Sequence, residues 1–277
     1  MTTKYMVTSG FLGSGKTTSM IAFANSINRR GLGHAAILAN DLGASNIVDA
    51  EFTATTGITT LPISGNCICY QHENLVDKLH QLEDSGADII FSDIPGCGIG
   101  ALDHVYLELD DKENGQFALM PFMCIVDPER IRMIMPENAD INLPEEMKFL
   151  LDAQMAEADV IVLNKIDTIS PEEVQKRIDF IHTAYPDIPV MTMSALTGEG
   201  VDYDIEYSRK LDRKYSALSL VINARAAADS QDMSEIVSDA LDAVSVKYDL
   251  KIRTFFMETF GMMEEGKCNT GRASRYE

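Results

Sequence analysis

Residues 5–31 read YMVTSGFLGSGKTTSMIAFANSINRRG, and the reading of their middle decides the fold. YMVT is a short apolar run of strand-forming residues, and KTTSMIAFANSINRR sets Met20, Ile21, Ala24 and Ile27 on one helical face. Between them GFLGSGKT, Gly10 to Thr17, fits the pattern G-x4-G-K-[ST] in full. A glycine-rich turn from strand to helix lets backbone N–H groups curl around phosphates, and the helix N-terminus adds positive partial charge. Lys16 would then reach the outer phosphates, and the Thr17 hydroxyl would ligate Mg2+. Gly10, Gly13, Ser14, Gly15, Lys16, Thr17 and Thr18 are therefore the candidate nucleotide contacts. Arg29 and Arg30 complement the negative end of the helix dipole, and Gly31 is placed to cap it.

Outward from this loop, strand-like runs recur at residues 35–39, 88–93, 122–126, 160–163 and 189–194. They are short, apolar almost throughout, and too far apart for hairpins, as strands buried on both faces of a parallel sheet are. Helices are expected from Pro144 to about Glu157 and from Pro171 to about Ala184, each with proline in its first turn. The fold class is α/β: a P-loop NTPase with a mostly parallel sheet flanked by helices. Near residue 200 the character changes. Residues 216–225 read as a strand, 232–248 as an amphipathic helix, and 251–263 as a further strand or a tail rich in aromatics and methionines. This implies a division into a nucleotide-binding domain, 1–202, and a small C-terminal α+β region, 203–277.

The totals exclude several function classes. Lys plus Arg number 23 against 43 Asp plus Glu, a formal net charge of -20, so the long-range field repels nucleic acid. No apolar run is long enough to span a membrane, and the N-terminal residues lack a secretory core, which points to the cytoplasm. Five cysteines, at 67, 69, 97, 124 and 268, are odd in number and unevenly spread, so reduced thiols are expected. Cys124, within an apolar run, reads as core.

Two further motifs choose the ligand. Asp93 ends an apolar run and opens DIPG, a D-x-x-G match: its carboxylate would hold Mg2+ through water, and Gly96 would bring a backbone N–H to the γ-phosphate. After VIVL come Asn164, Lys165, Ile166 and Asp167, an N-K-x-D match. An aspartate there accepts two hydrogen bonds from the N1–H and 2-amino group of guanine, whereas adenine offers neither donor. Ser194, Ala195 and Leu196 follow in the order expected of a loop set against the base. GTP is favoured over ATP.

The loop GFLGSGKTT, the run QMAEADVIVLNKID and the segment SALTGEGVD together resemble the CobW, HypB and UreG family of metallochaperone GTPases, and most of all its CobW-type branch. The resemblance covers about residues 4–202. It implies a Mg2+-dependent GTPase whose nucleotide state controls transition-metal delivery or supports a metallocofactor enzyme, commonly as a homodimer. It also makes Asp41, after the second strand, the acidic residue near Mg2+ and the attacking water, with Lys16 and Asp93 completing the catalytic set; an Asn-Asp turn is the plainer reading. No glutamine follows Gly96, and the motifs single out no arginine to stabilise developing charge, so slow intrinsic turnover is expected.

CobW-type relatives carry a Cys-x-Cys-Cys metal motif between their second and third conserved strands. Here residues 64–72 read SGNCICYQH, with Tyr70 where the third cysteine would stand. Cys67 and Cys69 at i and i+2 would share one side of an extended segment, His72 would add a third ligand if the chain turns, and Cys97 would lie near the γ-phosphate. Sulfur with imidazole suits Zn2+, Cu(I), Co2+ or Ni2+. A redox pair or plain packing remains open for the cysteines, and a solvent-facing helix start for His72. Two other functions compete with metal delivery: a regulatory GTPase switch docking on a cobalamin or methyltransfer enzyme without carrying metal, and a P-loop small-molecule kinase.

Overall fold

The structure, a computed structural model, describes residues 2–41, 57–64, 67–96, 98–113, 115–138, 143–202, 255–258 and 272–275. In chain order the described elements are β1 (Lys4–Ser9), α1 (Lys16–Arg30), β2 (Ala35–Asp41), β3 (Thr59–Ser64), α2 (His72–Asp84) and β4 (Ile89–Asp93). A π-helical turn (Leu102–Leu107) leads into α3 (Glu108–Glu113), followed by β5 (Ala118–Leu119), β6 (Met123–Val126) and α4 (Pro128–Ile134). Then come α5 (Glu145–Glu157), β7 (Val160–Leu163), α6 (Pro171–Ala184) and β8 (Val190–Thr192). A separate antiparallel pair, β9 (Phe255–Glu258) with β10 (Arg272–Arg275), holds Ala273 opposite Met257.

The main sheet runs in the order β3-β2-β4-β1-β6-β7-β8, with β5 also pairing β1, and every pairing in it is parallel. The strands that followed β1 in the sequence thus divide to its two sides, and ligands in such sheets bind at the carboxyl ends of the strands where the order reverses. Here that point is the end of β1, where the phosphate loop begins.

Period-2 alternation sorts the strand residues onto two faces. Met6, Ile37, Phe91, Ile125 and Val162 lie in one core cluster with Met20, Phe23, Ala24 and Ile27 of α1. Tyr5, Val7, Leu38 and Ile90 face the other way, against Leu75, Leu79 and Leu82 of α2. Cys124, Val126, Ile161 and Leu163 meet Ile131 of α4, Met155 of α5 and Ile181 of α6. Burial on both faces is why these strands read as continuous apolar runs rather than as alternation. Helix α1 stops at Gly31, whose φ of 66° is the left-handed cap its sequence announces.

β1 changes partner midway, from β5 at Lys4 and Tyr5 to β6 at Thr8 and Ser9. The backbone N–H of Val7, between them, donates to the buried Tyr106 hydroxyl at 2.8 Å. The wider π-helical turn carries that tyrosine, so its departure from α geometry serves the central strand.

Candidate functional site

The phosphate loop starts from a fixed geometry. Gly10, Gly13 and Gly15 have φ of 134°, 79° and 97°, and a side chain at Gly10 would collide with the Ile125 carbonyl of β6. Lys16, the first residue of α1, is buried and donates from Nζ to the Gly10 carbonyl at 2.9 Å, which holds its ammonium inside the curl. Thr17, half-buried, and the exposed Thr18 follow in the first turn of α1.

The N-K-x-D residues begin where β7 ends. Asn164 is buried and bridges two loops: Nδ2 donates to Ser14 O at 3.0 Å, and Oδ1 accepts from Ala195 N at 3.0 Å. Lys165 takes a φ of 60°, the one positive value among the described non-glycine residues, and donates to Gly13 O at 2.5 Å. Asp167 stands exposed in a short 3-10 turn, Ile166–Thr168. The serine-alanine loop is closed on itself: Ser194 Oγ accepts from Thr197 N at 3.1 Å, and Ser194 N donates to Glu199 O at 2.9 Å. Leu196 at its tip is 83% exposed.

On the other side of β1, Asp93 closes β4 and accepts from the Asn40 backbone N–H at 3.3 Å. Gly96 packs so tightly on the phosphate loop that a Cβ there would fall 2.7 Å from Leu12 N. The loop after Gly96 is held from α5: Gln154 Nε2 donates to Gly96 O at 3.1 Å and Gly98 O at 3.0 Å, and Glu157 accepts from Gly100 N at 2.5 Å. Gln154 is buried. Replacing it with leucine is expected to lower stability by about 1–3 kcal/mol, because two carbonyls lose their donor. Gln154→Glu should cost at least as much by thermal unfolding, since a carboxylate there would face both carbonyl oxygens.

Cys67 caps a 3-10 turn, Ile68–Tyr70, whose middle residue is Cys69, and the two sulfurs share a hydrogen bond at 3.0 Å. Cys69 is buried and Cys67 half-buried. That bond holds the Cys67 thiol below its usual range, against burial and the nearby Asp93 carboxylate, which raise it. Asn40 adds a weaker pull downward, although neither polar atom of its carboxamide closes a hydrogen bond. Cys69 is pushed far up, first by the same bond and then by burial. Cys124 is buried in β6 and pushed up to about 12 by burial.

His72 opens α2 with its ring against two glutamates: Nε2 lies 3.2 Å from Glu113 Oε1, and Nδ1 lies 3.4 Å from Glu108 Oε2. Among the described residues no three His, Cys, Asp or Glu side chains converge on a common metal position. Cys97 lies outside the described residues, and so does the side chain of Asp41, whose backbone ends β2.

Motif reading missed four contributors. Asp127 caps α4, its Oδ1 accepting from Glu129 N and Arg130 N at 3.1 Å each; an aspartate before Pro128 at a strand end was the available signal. Arg130 from the same helix reaches the phosphate loop. Gln154 lies in the quoted run QMAEAD, and Asn40 near the end of β2, but neither pattern reveals where the side chain sits.

A family model described as CobW/HypB/UreG, nucleotide-binding domain, matches residues 4–192. Among solved structures, the signal recognition particle receptor FtsY from Elizabethkingia anophelis in complex with GDP aligns with a TM-score of 0.51 at 13% identity, over 75% of this chain and 61% of that one. HypB from Helicobacter pylori in complex with nickel aligns at 0.49 and 14%, over 73% and 83%. The hydrogenase maturation factor HypB from Archaeoglobus fulgidus aligns at 0.48 and 18%, over 72% and 85%. No described helix is long and apolar enough to cross a membrane.

Proposed function

The chain belongs to the CobW/HypB/UreG family, and on that premise we propose that it is a Mg2+-dependent GTPase whose nucleotide state controls transition-metal delivery to a metalloenzyme client. The observation that carries the nucleotide half is the pair of hydrogen bonds made by Asn164, which ties the phosphate loop at Ser14 to the serine-alanine loop at Ala195. Three motifs far apart in sequence are tied together there. Residues 1–202 are its nucleotide-binding domain and 203–277 an appendage. Lys16 and the loop amides bind the phosphates, Thr17 and Asp93 hold Mg2+, Asp167 selects guanine, and Asp41 orients the attacking water. Mg2+, when bound there, would supply neutralisation of phosphate charge.

The cargo is a soft or borderline cation, Zn2+, Co2+, Ni2+ or Cu(I), taken by Cys67 and Cys69, with completion from Cys97 or a second subunit of a homodimer. Asp93 is the link, because it is close enough to Cys67 to influence its thiol while its own task is the nucleotide's Mg2+. Calorimetry of the whole chain with GTP, GDP and ATP analogues, in the presence of Mg2+, tests this reading. Guanine nucleotides should bind with ATP weaker by orders of magnitude; equal affinity would instead favour a small-molecule kinase. Nucleotide binding with no tight metal would favour the regulatory switch on a cobalamin or methyltransfer enzyme.

A further inference from the structure

Three consecutive peptide units of the phosphate loop have their carbonyls held by side chains from outside the loop. Asn164 takes Ser14 O at 3.0 Å, Lys165 takes Gly13 O at 2.5 Å, and Arg130 NH2 takes Leu12 O at 3.4 Å. A trans peptide is planar with its C=O and the following N–H pointing to opposite sides. A donor that fixes the carbonyl of one residue therefore aims the N–H of the next the other way. Holding Leu12 O outward turns the N–H of Gly13 inward, and holding Ser14 O does the same for Gly15. Both glycines have positive φ, so without such restraint their peptide units have unusual freedom to flip.

Arg130 is itself fixed. It follows the α4 cap, its guanidinium lies 5.8 Å from the Phe11 ring centroid, and NH1 is 3.6 Å from Asp127 Oδ2. Asp127 is buried, and the same Oδ2 lies 4.0 Å from Lys165 Nζ. One buried carboxylate thus spaces two cations along the rim of the loop. The planar fork of arginine suits this task, since it stacks on a ring while donating in its own plane to separate acceptors.

We propose that Arg130 is a positioning residue for nucleotide binding, presetting the phosphate loop through Leu12 and Phe11 so that the Gly13 amide faces the phosphates before they arrive. The inference rests on the guanine-nucleotide reading above. It assigns no contact between Arg130 and the γ-phosphate, so the effect is the same for di- and triphosphate.

The test is the affinity of the whole chain for GDP and for a non-hydrolysable GTP analogue, with Mg2+, in wild type, Arg130→Gln, Arg130→Lys and Arg132→Gln. Arg132 lies on the same helix and pairs with Glu129 at the surface, which makes it the control. Arg130→Gln is expected to weaken both ligands equally, by roughly tenfold, through lost preorganisation, with kcat for GTP hydrolysis within about twofold of wild type. Arg130→Lys should recover only part of the loss, and Arg132→Gln none of it. Unchanged affinity in Arg130→Gln overturns the proposal. So does a loss confined to the GTP analogue with a fall in kcat, which would mean direct contact with the γ-phosphate. A loss shared by Arg132→Gln, or accompanied by a lower melting temperature of the nucleotide-free protein, would mean a general effect on α4 and also overturns it. If wild type binds no guanine nucleotide, the guanine-nucleotide reading fails and the role of Arg130 with it, whereas wild-type binding that Arg130→Gln leaves intact overturns the positioning role alone.

Discussion

Asp167→Ala is expected to abolish discrimination between guanine and adenine nucleotides, a change on the order of 10^4 in the ratio of affinities. The size follows from the two-donor match. The N1–H and 2-amino group of guanine leave water to meet one carboxylate, and an adenine nucleotide in the same site leaves that carboxylate with no donor. Lys165 makes the placement possible, because its positive φ turns the chain between Asn164 and Asp167. The asparagine is thereby buried between two loops while the aspartate stands in the open, where a base can reach it. The variant should keep its fold, since Asp167 lies at the surface. It should also keep most of its phosphate affinity, because Lys16 and the loop amides are untouched. Asp167→Asn gives a sharper check. A carboxamide of the same shape offers one donor and one acceptor, which mismatches guanine at one position and matches xanthine, whose C2 carries an oxygen. Calorimetry should show the preference moving from guanosine to xanthosine nucleotides. Guanine selectivity surviving in both variants would place base recognition elsewhere.

The features that made Asp167 and its partners legible are the ones local chemistry enforces. A phosphate loop needs its glycines, its lysine and its flanking strand and helix all within a few residues, and strands buried on both faces are apolar throughout. All six strand-like runs of the first 200 residues are strands of the sheet. β3 was not legible: TTLPIS contains a proline and three hydroxyl residues, and lies at the sheet edge, where neither burial on both faces nor a full ladder is required. β5, two residues long, carries too little pattern to read. The expected strand at 216–225 and helix at 232–248 lie outside the described residues, while part of 251–263 is β9. Long-range bonds stayed hidden for a different reason. Gln154 looks like any polar helix residue, and only the fold brings it to carbonyls 58 and 56 positions away. Arg130 reaches a carbonyl 118 positions away, and no motif encodes that span.

The same distinction bears on the sulfur pair: spacing suggested Cys67, Cys69 and His72 as one ligand set, and the fold sets the His72 ring against two glutamates. Cys67→Ser or Cys69→Ser is expected to weaken Zn2+ binding by on the order of 10^3, since loss of an outer-shell partner alone already costs about 10–100-fold. His72→Ala should change it little, because both ring nitrogens of His72 face glutamates of α3 instead. The pair is also predisposed to accept metal in a set order. The Cys67 thiol is held down and the Cys69 thiol far up, so Cys67 gives up its proton more readily, and Cys69 becomes a ligand only when the cation displaces its proton. Each bound ion should therefore release at least one proton, and affinity should rise with pH. A competition titration against a chelator of known affinity, repeated at several pH values and with GDP or a GTP analogue bound, measures all of this at once. On the proposed reading Asp93 would hold Mg2+, and a cation beside that carboxylate would ease its repulsion of Cys67, so metal affinity is expected to rise when nucleotide and Mg2+ are bound. Retention of full affinity in Cys67→Ser, or its loss in His72→Ala, would place the metal on the glutamate-flanked histidine and away from the thiols.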